Sequence, residues 1–202
     1  LDVDTTGALT LNDGVAAASI ALDGSADVDL ATGTVTLDTS AGNGVVTFAT
    51  AGNVDGAQDL TITAGSGAVN LSAIGAGTAV GAFDLDSTGT TTVNGNISAG
   101  SIAMDGATDV DLATGAITLS TSAANGVINL NGGAVDGAQD LTITAGSGAV
   151  SLDGVGQSTP VGALDVDTTG ALTLNDGVAA ASIALDGSAD VDLATGTVTL
   201  DT

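Results

Sequence analysis

The chain contains no lysine, arginine, histidine, cysteine, tryptophan or tyrosine. Glutamate is missing as well, so all 24 acidic residues are aspartate and the formal net charge is −24. Each absence removes a class of function. Nucleic-acid affinity comes largely from Lys and Arg on phosphate, and here there are none. The same charge opposes an anionic membrane surface. A Ser or Cys nucleophile needs a neighbouring base, and without His, Lys or Cys no such pair can be assembled. Zinc lacks its usual ligands. Losing Glu, Lys and Arg together removes the best surface helix formers, so long helices are not expected. The longest apolar run, Val15 to Leu22, is interrupted by Ser19 and is far too short to span a bilayer. Zero cysteine suits a surface protein that needs no disulfides but fixes no redox compartment.

Few aromatics and a high charge are also marks of disorder. Against that stand a mean hydropathy of +0.48 and Val/Leu/Ile alternation kept through the whole chain. What is abundant is Gly, 31 of 202 residues, with Ala, Thr, Val and Leu.

Repetition organises these residues. Residues 1–39 and 164–202 are identical, an offset of 163. VDGAQDLTITAGSGAV at Val54–Val69 returns unchanged at Val135–Val150, and DVDLATG at Asp27–Gly33 returns at Asp109–Gly115. The offsets, 81 and 82, define units 1–82 and 83–163, with a further unit starting at 164–202. Solenoid arrays end in distinct polar caps. None is visible, so the chain is expected to be a slice of a longer array.

Within each unit, short alternating segments are separated by Gly-containing turns. Alternation sends every second residue inward. The spacing predicts an all-β parallel β-helix, or β-solenoid, with three strands per coil and about seven to eight coils. Coils starting at Leu1, Asp27, Asp59, Phe83, Asp109, Asp140, Leu164 and Asp190 place Val3, Val28, Leu60, Leu85, Val110, Leu141, Val166 and Val191 in one inward column. Leu11, Leu37, Leu71, Val93, Leu119, Leu152, Leu174 and Leu200 form a second, and Leu22, Phe48, Met104, Leu130 and Leu185 a third. Gly7, Gly33, Gly67, Gly89, Gly115, Gly148, Gly170 and Gly196 then share one corner. This division gives three coils per unit; four coils of about 20 residues each are the arithmetic alternative. SAIGAGTAVG, in the third coil, reads as a loop in place of a strand.

The phrases GALTLNDGVAAASIALDG, VNGNISAGSIAMDG and DLTITAGSGAVNL resemble the shaft repeats of giant bacterial surface proteins, the filamentous-haemagglutinin-like, two-partner-secreted and autotransporter adhesins. The resemblance implies a right-handed β-helix, export to the surface of a bacterium with an outer membrane, and service as a stalk, sheath or fibre. The total lack of Lys and Arg and the near-perfect repetition depart from that style, so no receptor carries over.

The three-coil division sets an outward Asp stripe beside the first column: Asp2 and Asp4, Asp27 and Asp29, Asp84 and Asp86, Asp109 and Asp111, Asp165 and Asp167, Asp190 and Asp192, with Asp59 and Asp140. Carboxylates about 5 Å apart repel by roughly 1 kcal/mol in water. Either Ca²⁺ bridges them or salt screens a solvated face that discourages lateral aggregation. Neither a GGxGxD repeat nor an EF-hand loop is present. Eight further Asp precede Gly and read as turn chemistry. An outward column, Thr10, Thr36, Asn70, Thr92, Thr118, Ser151, Thr173 and Thr199, lacks the regular grid that ice binding would need, and β propensity accounts for it.

A glycosidase needs only two carboxyls, but a catalytic pair is expected once, in a cleft, whereas these pairs recur. The expectation is therefore a non-enzymatic, extracellular structural segment whose partner is itself, by head-to-tail stacking or continuation of the chain, or another cell or surface. No nucleic acid, no membrane insertion and no certain cofactor are expected. The alternative is a Ca²⁺- or glycan-binding adhesin module that uses the Asp stripe.

Overall fold

The structure, a computed structural model, describes residues 1–24, 26–48, 52–194 and 197–202. It is an all-β parallel solenoid of about eight turns. Among the described residues there is no helix, and so none long and apolar enough to cross a membrane. Each turn contributes one strand to each of three faces. With strands about 4.8 Å apart, eight turns make a rod on the order of 40 Å long.

The inward columns are continuous. On the first face Leu9, Val28, Val54, Ile74, Ile97, Leu119, Ile143, Val166 and Leu185 stack in register. The second face stacks Val35, Leu60, Phe83, Ile102, Ile128, Val150, Leu172 and Val191. The third runs Ile20, Val46, Val69, Thr91, Val110, Val135, Val155, Val178 and Leu200. Away from the two ends these side chains are buried. Parallel ladders covered on their inner face by aliphatic neighbours are the condition under which Val-, Ile- and Leu-rich strands are stable.

Every inward assignment from alternation that falls in the interior of the rod is a buried residue, Val28, Leu60, Leu85, Val110, Leu141 and Val166 among them. The assignment of those residues to shared columns is not observed. Val28 lies on the first face, Leu60 on the second and Val110 on the third. Turns are shorter than the expected coils. Leu9 to Val28 is 19 residues and Val28 to Val54 is 26, and the eight steps from Leu9 to Leu185 average 22.

The cause is three short strands per unit that alternation does not reveal. In the first unit they are Val15–Ala16, Asn53–Asp55 and Ala73–Ile74. Each has two or three residues, too few to show a period of two. Ala73–Ile74 lies inside the segment expected to be a loop, and Asn53–Asp55 inside what reads as an Asp-Gly turn.

With these strands counted, and Ala73–Ile74 filling the place of the expected loop, the unit holds eleven strand positions, not nine. Eleven strands are three and two-thirds turns, so each unit arrives rotated by one face. DVDL occupies the first face as Asp27–Leu30, the third as Asp109–Leu112 and the second as Asp190–Leu193. LTITAG sits on the second face as Leu60–Gly65 and on the first as Leu141–Gly146. The identical residues 1–39 and 164–202 likewise lie on different faces: Leu9–Leu11 on the first, Leu172 and Leu174 on the second.

The glycines split accordingly. Gly33 and Gly115 adopt positive φ, 62° and 57°, in open turns. Gly44, Gly67 and Gly89 instead stack backbone on backbone at one corner, and Gly126, Gly148 and Gly170 do so at another. A Cβ at Gly67 or Gly148 would collide with the carbonyl of the turn below. Gly196 lies outside the described residues.

Candidate functional site

Rotation of the unit disperses the expected Asp stripe. Asp2, Asp4, Asp109 and Asp111 lie on the third face, Asp27, Asp29, Asp165 and Asp167 on the first, and Asp84, Asp86, Asp190 and Asp192 on the second. No continuous carboxylate ladder runs through them.

In place of a ladder there are short stacks. In three of the six D-x-D pairs the second Asp lies beside an Asp one turn later: Asp29 beside Asp55, Asp111 beside Asp136 and Asp167 beside Asp186. Those partners are the Asp of Asp-Gly pairs, and they occupy strand positions. On the other side the D-x-D pairs meet hydroxyls: Asp109 and Asp111 lie beside Thr90 and Thr92, and Asp165 and Asp167 beside Thr142 and Thr144. The first Asp of each pair is followed by an uncharged residue, Asn53 after Asp27, Ala103 after Asp84, Ala134 after Asp109 and Ala184 after Asp165. Like-charge contact is thus confined to small local groups, each close pair costing about 1 kcal/mol where water screens it.

Several carboxylates accept backbone N–H groups at the corners. Asp55 Oδ1 accepts from Gly77 N at 2.8 Å and Thr78 N at 3.0 Å. One unit later Asp136 Oδ1 accepts from Ser158 N and Thr159 N, both at 2.8 Å. Asp59 and Asp140 each take one N–H from the following turn, from Ala82 and Ala163 at 2.7 Å. Asp13 and Asp176 accept from the Gly that follows them, as Asp-Gly turn chemistry predicts. These groups satisfy donors that the strand ladder leaves open. The anchoring role of Asp55 and Asp136 escapes sequence reasoning, although the unchanged return of VDGAQDL is a signal of it.

Environment shifts three of the carboxyls. Asp38 is held below the usual aspartate range by hydrogen bonds from the Ser40 hydroxyl and the Ser40 N–H. Asp84 is pushed up by partial burial, then by Asp105 and Asp86. Asp109 is pushed up by partial burial, then by Asp111 and Asp136. The rod therefore carries carboxyls shifted in both directions.

Calcium needs six to eight oxygens around one centre. Among the described residues no group of three or more acidic side chains could hold a metal ion. A ring on which a sugar could stack is missing too: the two Phe, Phe48 and Phe83, are fully buried, and Trp and Tyr are absent. The exposed polar surface includes a side-chain ladder in which Asn131 Oδ1 accepts from Ser151 Oγ and Asn175 Nδ2, both at 2.9 Å, across three turns.

Comparisons with protein-family models, with curated proteins and with solved structures gave no match.

Proposed function

We propose that this chain is a shaft segment of a long, repetitive, secreted surface protein, and that its work is mechanical. The observation that carries this reading is the unbroken stacking of all three inward columns while the repeating unit rotates by one face. A unit that fits any face can be added without limit, which is what a fibre or stalk requires. The outer surface supports the same role. It is polar, acidic and without exposed aromatic rings, so it resists lateral association. Ladders of backbone hydrogen bonds along the axis carry the load. The partner of each turn is another turn of the same kind, whether from the same chain or a second copy.

Electron cryo-microscopy of the purified protein, with and without EDTA, tests this. A thin rod with an axial repeat of about 4.8 Å, unchanged by EDTA, is the expected result. Density between D-x-D stacks that EDTA removes would favour the cation-binding adhesin module instead. Globular particles would reject the shaft.

A further inference from the structure

We propose that the carboxyl of Asp109 holds a proton in acid and donates it in a hydrogen bond to the buried side chain of Asp136, and that this bond ties three successive turns of the solenoid together. The inference concerns one site and does not depend on the shaft reading.

Asp136 is 3% exposed. Its Oδ1 is fully used by the N–H groups of Ser158 and Thr159 in the next turn. Its Oδ2 is buried and has no partner. A buried acceptor without a donor is costly, and a buried anionic one more so. Two carboxyls of the preceding turn flank it: Asp111, its register partner, and Asp109, two residues earlier on the same strand, whose side chain interacts with that of Asp136. As two carboxylates Asp109 and Asp136 repel and Oδ2 stays unsatisfied. With one proton on Asp109, its O–H donates to Oδ2 and both defects vanish. The bridge then runs from the strand Asp109–Leu112, through Ala134–Asp136, to the 156–160 loop.

The surroundings favour that proton. Partial burial, Asp111 on the same strand and Asp136 all disfavour ionised Asp109, and only the Val110 N–H opposes them. The strand beneath, Thr90–Val93, and the loop residues 156–160 bring no titratable group. No cation of the protein can substitute, because it has no Lys, Arg or His. The corresponding position in the first unit is built differently. Asp27 Oδ1 accepts from Asn53 N at 3.3 Å, and Asp55 is only half-buried. Ala134 stands opposite Asp109 where Asn53 stands opposite Asp27. Residues 156–160, GQSTP where the first unit has GAGTA, pack over Asp136.

Carboxyl-carbon NMR of the intact 202-residue protein, titrated from neutral pH downward, reads the site directly. Asp109 is expected to titrate above the ordinary aspartate midpoint, about 3.9, and Asp136→Asn is expected to move it back down. Asp109→Asn supplies a permanent N–H donor to Oδ2. It should raise the melting temperature at neutral pH and flatten this site's share of the pH dependence. Asp109 titrating at or below the ordinary value overturns the proposal, and so does an unmoved midpoint in Asp136→Asn. Repeating the titration with CaCl₂ separates a proton from a metal. A calcium-dependent rise in melting temperature that Asp109→Asn abolishes would also overturn it, in favour of a cation bridge.

Discussion

Val28 and Val110 hold the same place in the repeating unit but lie on different faces of the solenoid. Val28 stacks between Leu9 and Val54, whereas Val110 stacks between Thr91 and Val135. Both are buried. One strand sequence therefore serves two structural environments, because an inward aliphatic flanked by outward small or acidic residues satisfies any face. The true structural period of an array of such units is three units, or eleven turns.

Spin labels can measure this rotation in a protein that has no cysteine of its own. Thr10 and Asp29 are register partners on adjacent turns of the first face, so labels at Thr10→Cys and Asp29→Cys should lie at the neighbouring-strand separation, about 5 Å between backbones. Asp4 and Asp29 occupy equivalent D-x-D positions but different faces, and labels at Asp4→Cys and Asp29→Cys should be well separated. Equal short distances for both pairs would restore the single-stripe arrangement.

The identical stretches 1–39 and 164–202 supply a matched test of burial. Leu37 is 0% exposed, and Leu200, the same residue 163 positions on, is 51% exposed. Leu37→Ala should cost about 2–5 kcal/mol, the range for a truncated core leucine. In the 202-residue chain, where no further turn covers it, Leu200→Ala should stay within roughly 0.5 kcal/mol, as exposed substitutions do. Denaturant melts of the two variants decide it, and equal losses would mean that local sequence, not stacking, sets stability.

Much of the architecture was legible in the sequence. Alternation in LDVD, TVTLD and DLTIT identified the strands and the side of each that faces the core. Three faces per turn followed from the same pattern. The turn length was not legible, because Val15–Ala16, Asn53–Asp55 and Ala73–Ile74 are too short to show periodicity, and missing them shifts the phase of everything downstream. The Asp stripe depended on that phase and dispersed with it. Nor could the sequence reveal that Asp55 and Asp136 anchor loops from the next turn, since Asp-Gly has an ordinary local meaning.

Acid should strengthen the rod before it harms it. A carboxyl raised in the folded state holds its proton more tightly there than in the unfolded chain. Its contribution to stability is present below the unfolded value and is lost as pH rises through the folded one. Asp84 and Asp109 are of this kind. Asp38 has the opposite sign: its contribution is present above the unfolded value and lost as pH falls through the lowered folded one. Two raised groups stand against one lowered group. Melting temperature should therefore rise as pH falls from neutral into the carboxylate range. Asp84→Asn should reduce that rise, and a melting temperature that falls steadily over the same interval would contradict the assignment.

Salt and divalent ions should act differently on a solvated shaft. Screening shortens the reach of repulsion to about 8 Å at physiological ionic strength, so added NaCl should raise the melting temperature. EDTA should leave it unchanged. Calorimetry in NaCl, in CaCl₂ at matched ionic strength and in EDTA makes the comparison, and a specific loss of stability in EDTA would indicate bound calcium in the fold.

Thr91 marks the one polar interruption of the third-face column. It sits between Val69 and Val110, is 0% exposed, and its hydroxyl has no hydrogen-bond partner. The five neighbouring rungs on this face, Val46, Val69, Val110, Val135 and Val155, are all valine. Valine has almost the same shape as threonine, so replacement removes a buried, unsatisfied hydroxyl without opening a cavity. Thr91→Val should stabilise the rod by about 1–2 kcal/mol, measurable as a shift of the denaturation midpoint at constant slope. A destabilising result would show that the hydroxyl is satisfied in solution, by a water or a shifted backbone carbonyl.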